Sequence, residues 1–158
     1  MKQQTLFEMN NLKNLFIPKK GKRKSARPLS RKHPIHLVMK SSRHNLRRNE
    51  RGLHEQWSRL AKRWGIKTYR LVVASDHLHV VVKIQSRECY RKFISGFTGL
   101  VSRRFQIQWK TKPATRLVEW GRAFKTLIKY IQLNEWEALG YIEYQPERTR
   151  NLPAWLKL

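Results

Sequence analysis

The sequence is poor in three features: cysteine, long apolar runs and acidic side chains. The single cysteine, Cys89, excludes an internal disulfide and a cysteine-based zinc knuckle, and its core-patterned neighbours predict a buried thiol. No apolar run approaches the roughly 18 residues that a membrane-spanning helix needs, and no segment has the composition of a secretory signal. We therefore expect a protein of the cytoplasm with no membrane partner.

Acidic residues are few, since 10 Asp and Glu stand against 35 Lys and Arg, which gives a net charge of +25 and a pI near 11.2. Such an excess predicts a polyanionic partner, because neutralised phosphates release condensed counterions. Basic membrane helices concentrate charge along one amphipathic face, whereas here Lys and Arg are spread over every segment. Nucleic acid is therefore the favoured partner.

The length of 158 residues fits one domain with extensions. We predict a basic extension over residues 1–32, a folded domain over 33–144 and a tail over 145–158. The basic run in the extension contains glycine and proline, which disfavour a packed element. It is either a solvated tail or an arm that folds onto a phosphate backbone, and its candidate DNA-binding residues are Lys19, Lys20, Lys22, Arg23 and Lys24.

Hydrophobic periodicity predicts four strands and three helices. Strands are expected at about 33–42, 66–74, 77–84 and 116–120, and helices at about 53–64, 86–105 and 122–138. The first six elements have the order of an α+β, ferredoxin-like (RRM-like) fold, in which two helices cover one face of a four-stranded antiparallel sheet. The last helix can bury its apolar stripe only against the sheet, most simply on the open face.

Two histidines lie on the predicted third strand, as His77-Leu78-His79. Residues two apart on a strand point the same way, so both imidazoles leave one face while Leu78 enters the core from the other. Two adjacent imidazoles are half of a metal site. The triplet alone is a weak signal, because it arises often by chance.

The last predicted helix carries Tyr130 and Asn134, which share a face because they are four residues apart. Tyr130 is either a tyrosine at the rim of the core or part of a site. Two imidazoles and an amide oxygen can hold a divalent cation that polarises a scissile phosphate, and a phenolate can attack phosphorus.

The chain resembles the single-tyrosine HUH transposases of the IS200-like group, which includes the transposases associated with repeated extragenic palindromes. The resemblance rests on His77-Leu78-His79, on the tyrosine helix from Tyr130 to Asn134, and on the opening strand from His36 to Lys40. It implies that residues 33–144 are the catalytic domain of a bacterial, nucleoid-associated enzyme. Such an enzyme cleaves single-stranded DNA beside a hairpin, uses Mg²⁺ or Mn²⁺, and leaves a 5′-phosphotyrosine and a free 3′-hydroxyl.

Carried over by position, the resemblance makes Tyr130 the nucleophile and His77, His79 and Asn134 the metal ligands. Insertion-sequence members commonly have glutamine at the third ligand, whereas the palindrome-associated branch commonly has asparagine. Asn134 is followed here by Glu135, where that branch often has proline. Family members use the tyrosine on their own subunit's metal or on a partner's, so a self-contained subunit and a homodimer both stay open.

Other residues have two interpretations each. Arg43, Arg47, Arg48 and Arg51 follow the first strand as a cluster, which we assign to DNA phosphates. His36 is a hydrogen-bonded structural histidine or faces the site. Asp76 is a turn residue or orients an imidazole. Trp109 and Trp120 pack in the fold or stack on unpaired bases.

Two alternatives to an enzyme are open. The first is a nucleic-acid-binding module of the same topology without chemistry, such as an RNA-binding protein. It is disfavoured because the third strand carries His77, His79 and Val81 where such modules need base-stacking aromatics. The second is an HUH protein that binds DNA without cutting it.

Overall fold

The computed structural model describes residues 28–43 and 45–143, and its elements follow the predicted order. The strands are β1 (Ile35–Lys40), β2 (Lys67–Val73), β3 (His77–Lys83) and β4 (Ala114–Leu117). The helices are α1 (Glu50–Arg63), α2 (Arg87–Phe105) and α3 (Arg122–Leu139), and a 3-10 turn (Arg47–Asn49) precedes α1. In the part of the chain that is described, no helix is both long and apolar enough to cross a membrane.

The four strands form one antiparallel sheet in the order β2-β3-β1-β4. β3 contains three consecutive valines, whose branched side chains favour extended backbone. Both inner strands, β1 and β3, have a paired strand on each side, although β4 covers only Ile35 to Val38 of β1. The predicted ferredoxin-like fold is confirmed.

The main core lies between the sheet and the helices α1 and α2. Alternate residues of β1 and β3, such as Leu37 and Val80, point into it. The centre is aromatic: Trp57 meets Phe93 and Phe97 edge-on, with ring centroids 4.7 and 4.9 Å apart. These fully buried rings supply much of the apolar area that stabilises the fold.

Helix α3 covers the opposite face of the sheet, as its apolar stripe predicted. Leu127 and Ile131 are buried there against Val72 and Val81 of the two neighbouring strands. The helix ends at Gly140, whose φ of 75° is a left-handed conformation that glycine adopts without strain. The open face of a simple ferredoxin-like sheet is thus partly closed in this protein.

Two details of the sequence prediction were wrong. The fourth strand spans 114–117 rather than 116–120, because its partner β1 begins at Ile35, opposite Leu117. The next backbone N–H, that of Val118, donates instead to the carbonyl of Pro34 at 2.9 Å. Cys89 is half-buried rather than buried, since it lies in the first turn of α2. The predicted basic run in 19–24 and the tail over 145–158 lie outside the described residues.

Candidate active site

The two histidines of β3 project from the face that α3 covers. His79 is 8% exposed and His77 is half-buried. Their Nε2 atoms lie 2.9 Å apart, and their ring planes are nearly perpendicular. The alternation of the strand therefore brings the predicted pair together, with one nitrogen of each ring aimed at the same point.

The other nitrogen of each ring has its own partner. His77 Nδ1 lies 2.6 Å from the Asp76 carboxylate, and His79 Nδ1 lies 3.1 Å from His36 Nε2 on the adjacent strand. Because the carboxylate of Asp76 accepts, His77 carries its proton on Nδ1; the same tautomer of His79 would donate to His36. Both Nε2 lone pairs are then available to a ligand.

Burial keeps the side chains of His36 and His79 neutral. It lowers the pKa of His36 to about 4, with a further contribution from the positive charge of Arg116. It also lowers the pKa of His79 well below its usual value, and the neighbouring His77, His36 and Lys40 act in the same direction. A neutral imidazole is the form that binds a metal ion.

The pair fits the donor set of a divalent cation. Two nitrogens about 2.1 Å from one ion, with a right angle between the bonds, are about 3 Å apart, close to the observed 2.9 Å. Within the described residues, no three His, Cys, Asp or Glu side chains form a group that could hold a metal. Among the described residues, a third protein ligand would be of another residue type.

The predicted nucleophile lies next to this pair. Tyr130 is half-buried on α3, and its ring meets that of His79 edge-on with centroids 6.2 Å apart. Tyr130 also packs against the small core under α3. The structure thus brings together a tyrosine and two histidines that are some fifty residues apart in the sequence.

Asn134 lies one turn further along α3 and is half-buried. In the described part of the chain it makes no hydrogen bond to either imidazole. Its neighbour Glu135 forms an ion pair with Arg70 of β2, which links this end of α3 to the sheet. Sequence reasoning missed this pair, because nothing in the local pattern connects residues 65 positions apart.

The basic cluster after β1 is attached to the turn that precedes His77. The backbone N–H of Ser41 donates to Asp76 O at 2.7 Å, and that of Leu46 donates to Ser75 O at 3.0 Å. This places Arg43 and residues 45–51 at the histidine end of the sheet. Arg43, Arg48 and Arg51 are exposed and Arg47 is half-buried, while Lys19, Lys20, Lys22, Arg23 and Lys24 lie outside the described residues.

The two candidate stacking tryptophans differ in exposure. Trp120 is 44% exposed and packs against Tyr69 and Phe124, and its indole N–H donates to the carbonyl of Lys32 at 2.9 Å. Trp109 is half-buried, and its indole N–H donates to the carbonyl of Thr98 at 3.3 Å. Both rings are held in fixed orientations by the fold.

Comparison with known proteins gives the family. Among solved structures, the chain is similar to a REP-associated tyrosine transposase bound to a REP hairpin, with 12% identity and a TM-score of 0.60 over 82% of this chain and 86% of that one. A Deinococcus radiodurans structure provisionally described as a transposase has 17% identity and a TM-score of 0.47 over 73% of this chain and 97% of that one. No curated protein matches the sequence. The model of the IS200-like transposases matches residues 29–145, and the chain belongs to this family.

Proposed function

We propose that this IS200-like transposase cleaves and rejoins single-stranded DNA through Tyr130, with a divalent cation held beside it. The observation that carries the proposal is the edge-on approach of Tyr130 to His79, in which α3 brings a phenol to the side of two metal-competent imidazoles. An RNA-binding module of the same topology would have no need of this arrangement.

The proposed cleavage conserves the phosphodiester. The Tyr130 oxygen attacks phosphorus and forms a P–O bond while the bond to the 3′-oxygen breaks. The phenol loses its proton, and the leaving 3′-oxygen gains one. Because a phosphotyrosine bond replaces the broken bond, attack by a 3′-hydroxyl can reverse the step without nucleotide hydrolysis.

Three residues are proposed to hold the cation: His77 and His79 through Nε2, and Asn134 through its amide oxygen. When bound, Mg²⁺ or Mn²⁺ would act as a Lewis acid on the scissile phosphate. Asp76 and His36 keep the two imidazoles in the ligating orientation. We expect tighter binding of Mn²⁺, because imidazole is a poor ligand for the hard Mg²⁺ ion.

The proposed substrate is a single strand that carries a hairpin. The similar REP-associated transposase was solved with a REP hairpin, and the basic cluster at residues 43–51 is hydrogen-bonded to the turn before His77. These arginines would hold phosphates near the reacting tyrosine. Binding should therefore weaken steeply as salt is raised, and a salt-independent affinity would contradict this account.

The test is a covalent-adduct assay. The full chain is incubated with hairpin-bearing single-stranded DNA and Mg²⁺ or Mn²⁺, and denaturing gels are examined for a protein–DNA adduct. We expect an adduct that Tyr130→Phe abolishes. Tyr141→Phe is the matched control, because Tyr141 follows the same helix and is 73% exposed.

The outcomes separate the alternatives. DNA binding that is sensitive to salt, with no covalent adduct in the presence of either Mg²⁺ or Mn²⁺, would indicate an HUH protein that binds DNA without cutting it. A preference for RNA without an adduct would indicate the non-catalytic module. An adduct that Tyr141→Phe removes and Tyr130→Phe does not would show that the nucleophile is misassigned.

A single chain contains all the proposed groups, so we propose that Tyr130 serves the histidines of its own subunit. A mixture of Tyr130→Phe protein with His77→Ala protein tests this. No adduct should form, because neither chain has a complete site. Recovery of adduct to about a quarter of the wild-type level would instead demonstrate a homodimer with shared sites, because half of the randomly mixed dimers are heterodimers and each has one complete site of two.

A further inference from the structure

A second surface with the chemistry of a nucleic-acid site lies on the α1 and α2 side of the sheet, away from the histidine face. It is a cleft of about 670 Å³ between α2 and the loop that leads into β4. Tyr90, Ile94 and Trp109 give it an apolar and partly aromatic lining. Its volume falls within the range of about 300–1,000 Å³ that is typical of small-molecule pockets. The cleft is therefore large enough for a planar group of the size of a nucleobase.

Trp109 is held rigidly in the wall of this cleft. Its indole N–H donates to the carbonyl of Thr98, and its ring packs against Phe97 with centroids 6.3 Å apart. The backbone of the same residue forms an antiparallel bridge with Ser41 at the end of β1. A fixed ring loses little conformational entropy when another ring stacks on it, so Trp109 suits a stacking platform.

The rim of the cleft is cationic. Four basic residues line it, and none of the described residues that line it is acidic; the four are Arg87, Arg91, Lys110 and Lys112. They come from both walls, two from the start of α2 and two from the loop before β4. An apolar centre between two basic walls is complementary to a base whose flanking phosphates lie on either side.

We propose that this cleft binds one unpaired base of single-stranded DNA, with Trp109 as the stacking partner and the rim cations at the flanking phosphates. This inference rests on the proposed function, since it assumes that the enzyme acts on a single strand. Bases in a duplex are stacked on their neighbours and cannot enter such a cleft, whereas an unpaired base can. The cleft would thereby select a single-stranded flank next to a hairpin.

The position of the cleft suits this role. Lys40, the last residue of β1, is the register partner of His77, and its carbonyl accepts a hydrogen bond from the backbone N–H of Lys110 at 2.8 Å. The histidine strand and the Trp109 segment are thus separated by β1 alone, or two strand spacings of roughly 10 Å. A strand that leaves the tyrosine site can pass around the end of β1 and reach the cleft.

Photocrosslinking tests the proposal without any cleavage. The probe is a short oligothymidylate with one 5-iododeoxyuridine, and the protein is the full chain carrying Tyr130→Phe in metal-free buffer. After irradiation, peptide mass spectrometry locates the crosslink. We expect it on Trp109 or Tyr90, and we expect Trp109→Ala to weaken binding of the oligonucleotide about tenfold.

Because the Trp109 variant could lose binding by misfolding, a surface substitution provides a second test of the cleft. Ser95 is an exposed residue of α2 that lines the cleft, and Ser95→Glu places a carboxylate there. The matched control is Ser102→Glu, two turns further along the same helix and outside the cleft lining. Both variants change the net charge equally, so only Ser95→Glu should lose the crosslink.

Each outcome of these crosslinking experiments either supports or overturns the proposal. Loss of the crosslink in Ser95→Glu but not in Ser102→Glu supports the proposal, even if the covalent-adduct assay fails. Crosslinks confined to other residues would overturn it, even if Tyr130 cleaves DNA as proposed. A third outcome has two parts: a lysine-reactive reagent joins Lys110 to residues 19–24, and Ser95→Glu leaves oligonucleotide binding unchanged. In that case the chain's own N-terminal segment would occupy the cleft, and the proposal would be wrong.

Discussion

The two faces of the sheet differ in what they bury. In the described part of the chain, the face under α1 and α2 has a core cluster of nineteen buried apolar or aromatic residues, and Gln56 of α1 is buried beside them. The face under α3 has a cluster of five buried apolar residues, with Val38 of β1 also buried on that side, beside the buried imidazoles of His36 and His79. The same strands supply both faces, because alternate residues point in opposite directions. We expect the large core to carry most of the stability and the small one to accommodate the polar groups of the proposed site.

Matched phenylalanine truncations test this contrast and should give the largest effect. Phe97 is fully buried under α1 and α2, whereas Phe124 is half-buried at the edge of the α3 face. We expect Phe97→Ala to lower the free energy of unfolding by about 3–5 kcal/mol, and Phe124→Ala by about 1 kcal/mol. Denaturant titration measures both. Equal losses would show that the two faces contribute similarly.

Low pH should destabilise the metal-free protein, because the histidines buried under α3 must take up protons. The folded pKa of His36 is about 4, against 6.5 for an unperturbed histidine, so between these values only the unfolded state binds the proton. Stability is thus fully present above pH 6.5 and falls as the pH drops toward 4, by about 3 kcal/mol from His36 alone. His79 acts in the same direction.

His36→Leu provides the comparison for this acid effect, since it removes the titrating group and leaves the carboxylates in place. Urea titrations in chelator at several pH values should show a flatter pH dependence for the variant. Parallel curves for the two proteins would contradict the assignment to His36.

The orienting contact of His36 should have the next largest effect, on metal affinity. His36→Leu removes the partner of His79 Nδ1, and loss of such a contact typically weakens metal binding about 10–100-fold. His36→Asn keeps a hydrogen-bond acceptor on β1 and should recover part of the affinity. Calorimetric titration with Mn²⁺ measures this directly, and a wild-type affinity in His36→Leu would mean that His36 does not orient His79 for metal binding.

The smallest effect is expected for the ion pair that links α3 to β2. Glu135→Gln removes the charge opposite Arg70 and should cost at most about 1 kcal/mol, because both side chains are partly exposed. Adduct formation should slow several-fold as the end of α3 loosens. Glu143→Gln, an exposed position beyond the helix, is the control. An equal effect of the two changes would exclude a role for the pair.

The sequence predicted the fold and the strand and helix that carry the candidate site, because both depend on local alternation. His77 and His79 follow from a period of two, and the stripe around Tyr130 follows from a helical period. The contact of His36 with His79 and the pair of Arg70 with Glu135 depend on tertiary packing, which no local pattern encodes. Their residues are 43 and 65 positions apart. The bounds of β4 were misjudged for the same reason, since its length is set by where β1 begins.

The central position of β1 has a consequence for synthesis of the protein. In the described sheet, β1 pairs with β3 and β4, both of which follow it by some forty residues or more, so neither of these partners exists when β1 first leaves the ribosome. His36 therefore meets His79 only after β3 has been made, and Tyr130 joins them only after α3 has been made. A nascent chain that ends before α3 would contain the histidines without Tyr130. If Tyr130 acts as proposed, DNA cutting would begin only after α3 has been made.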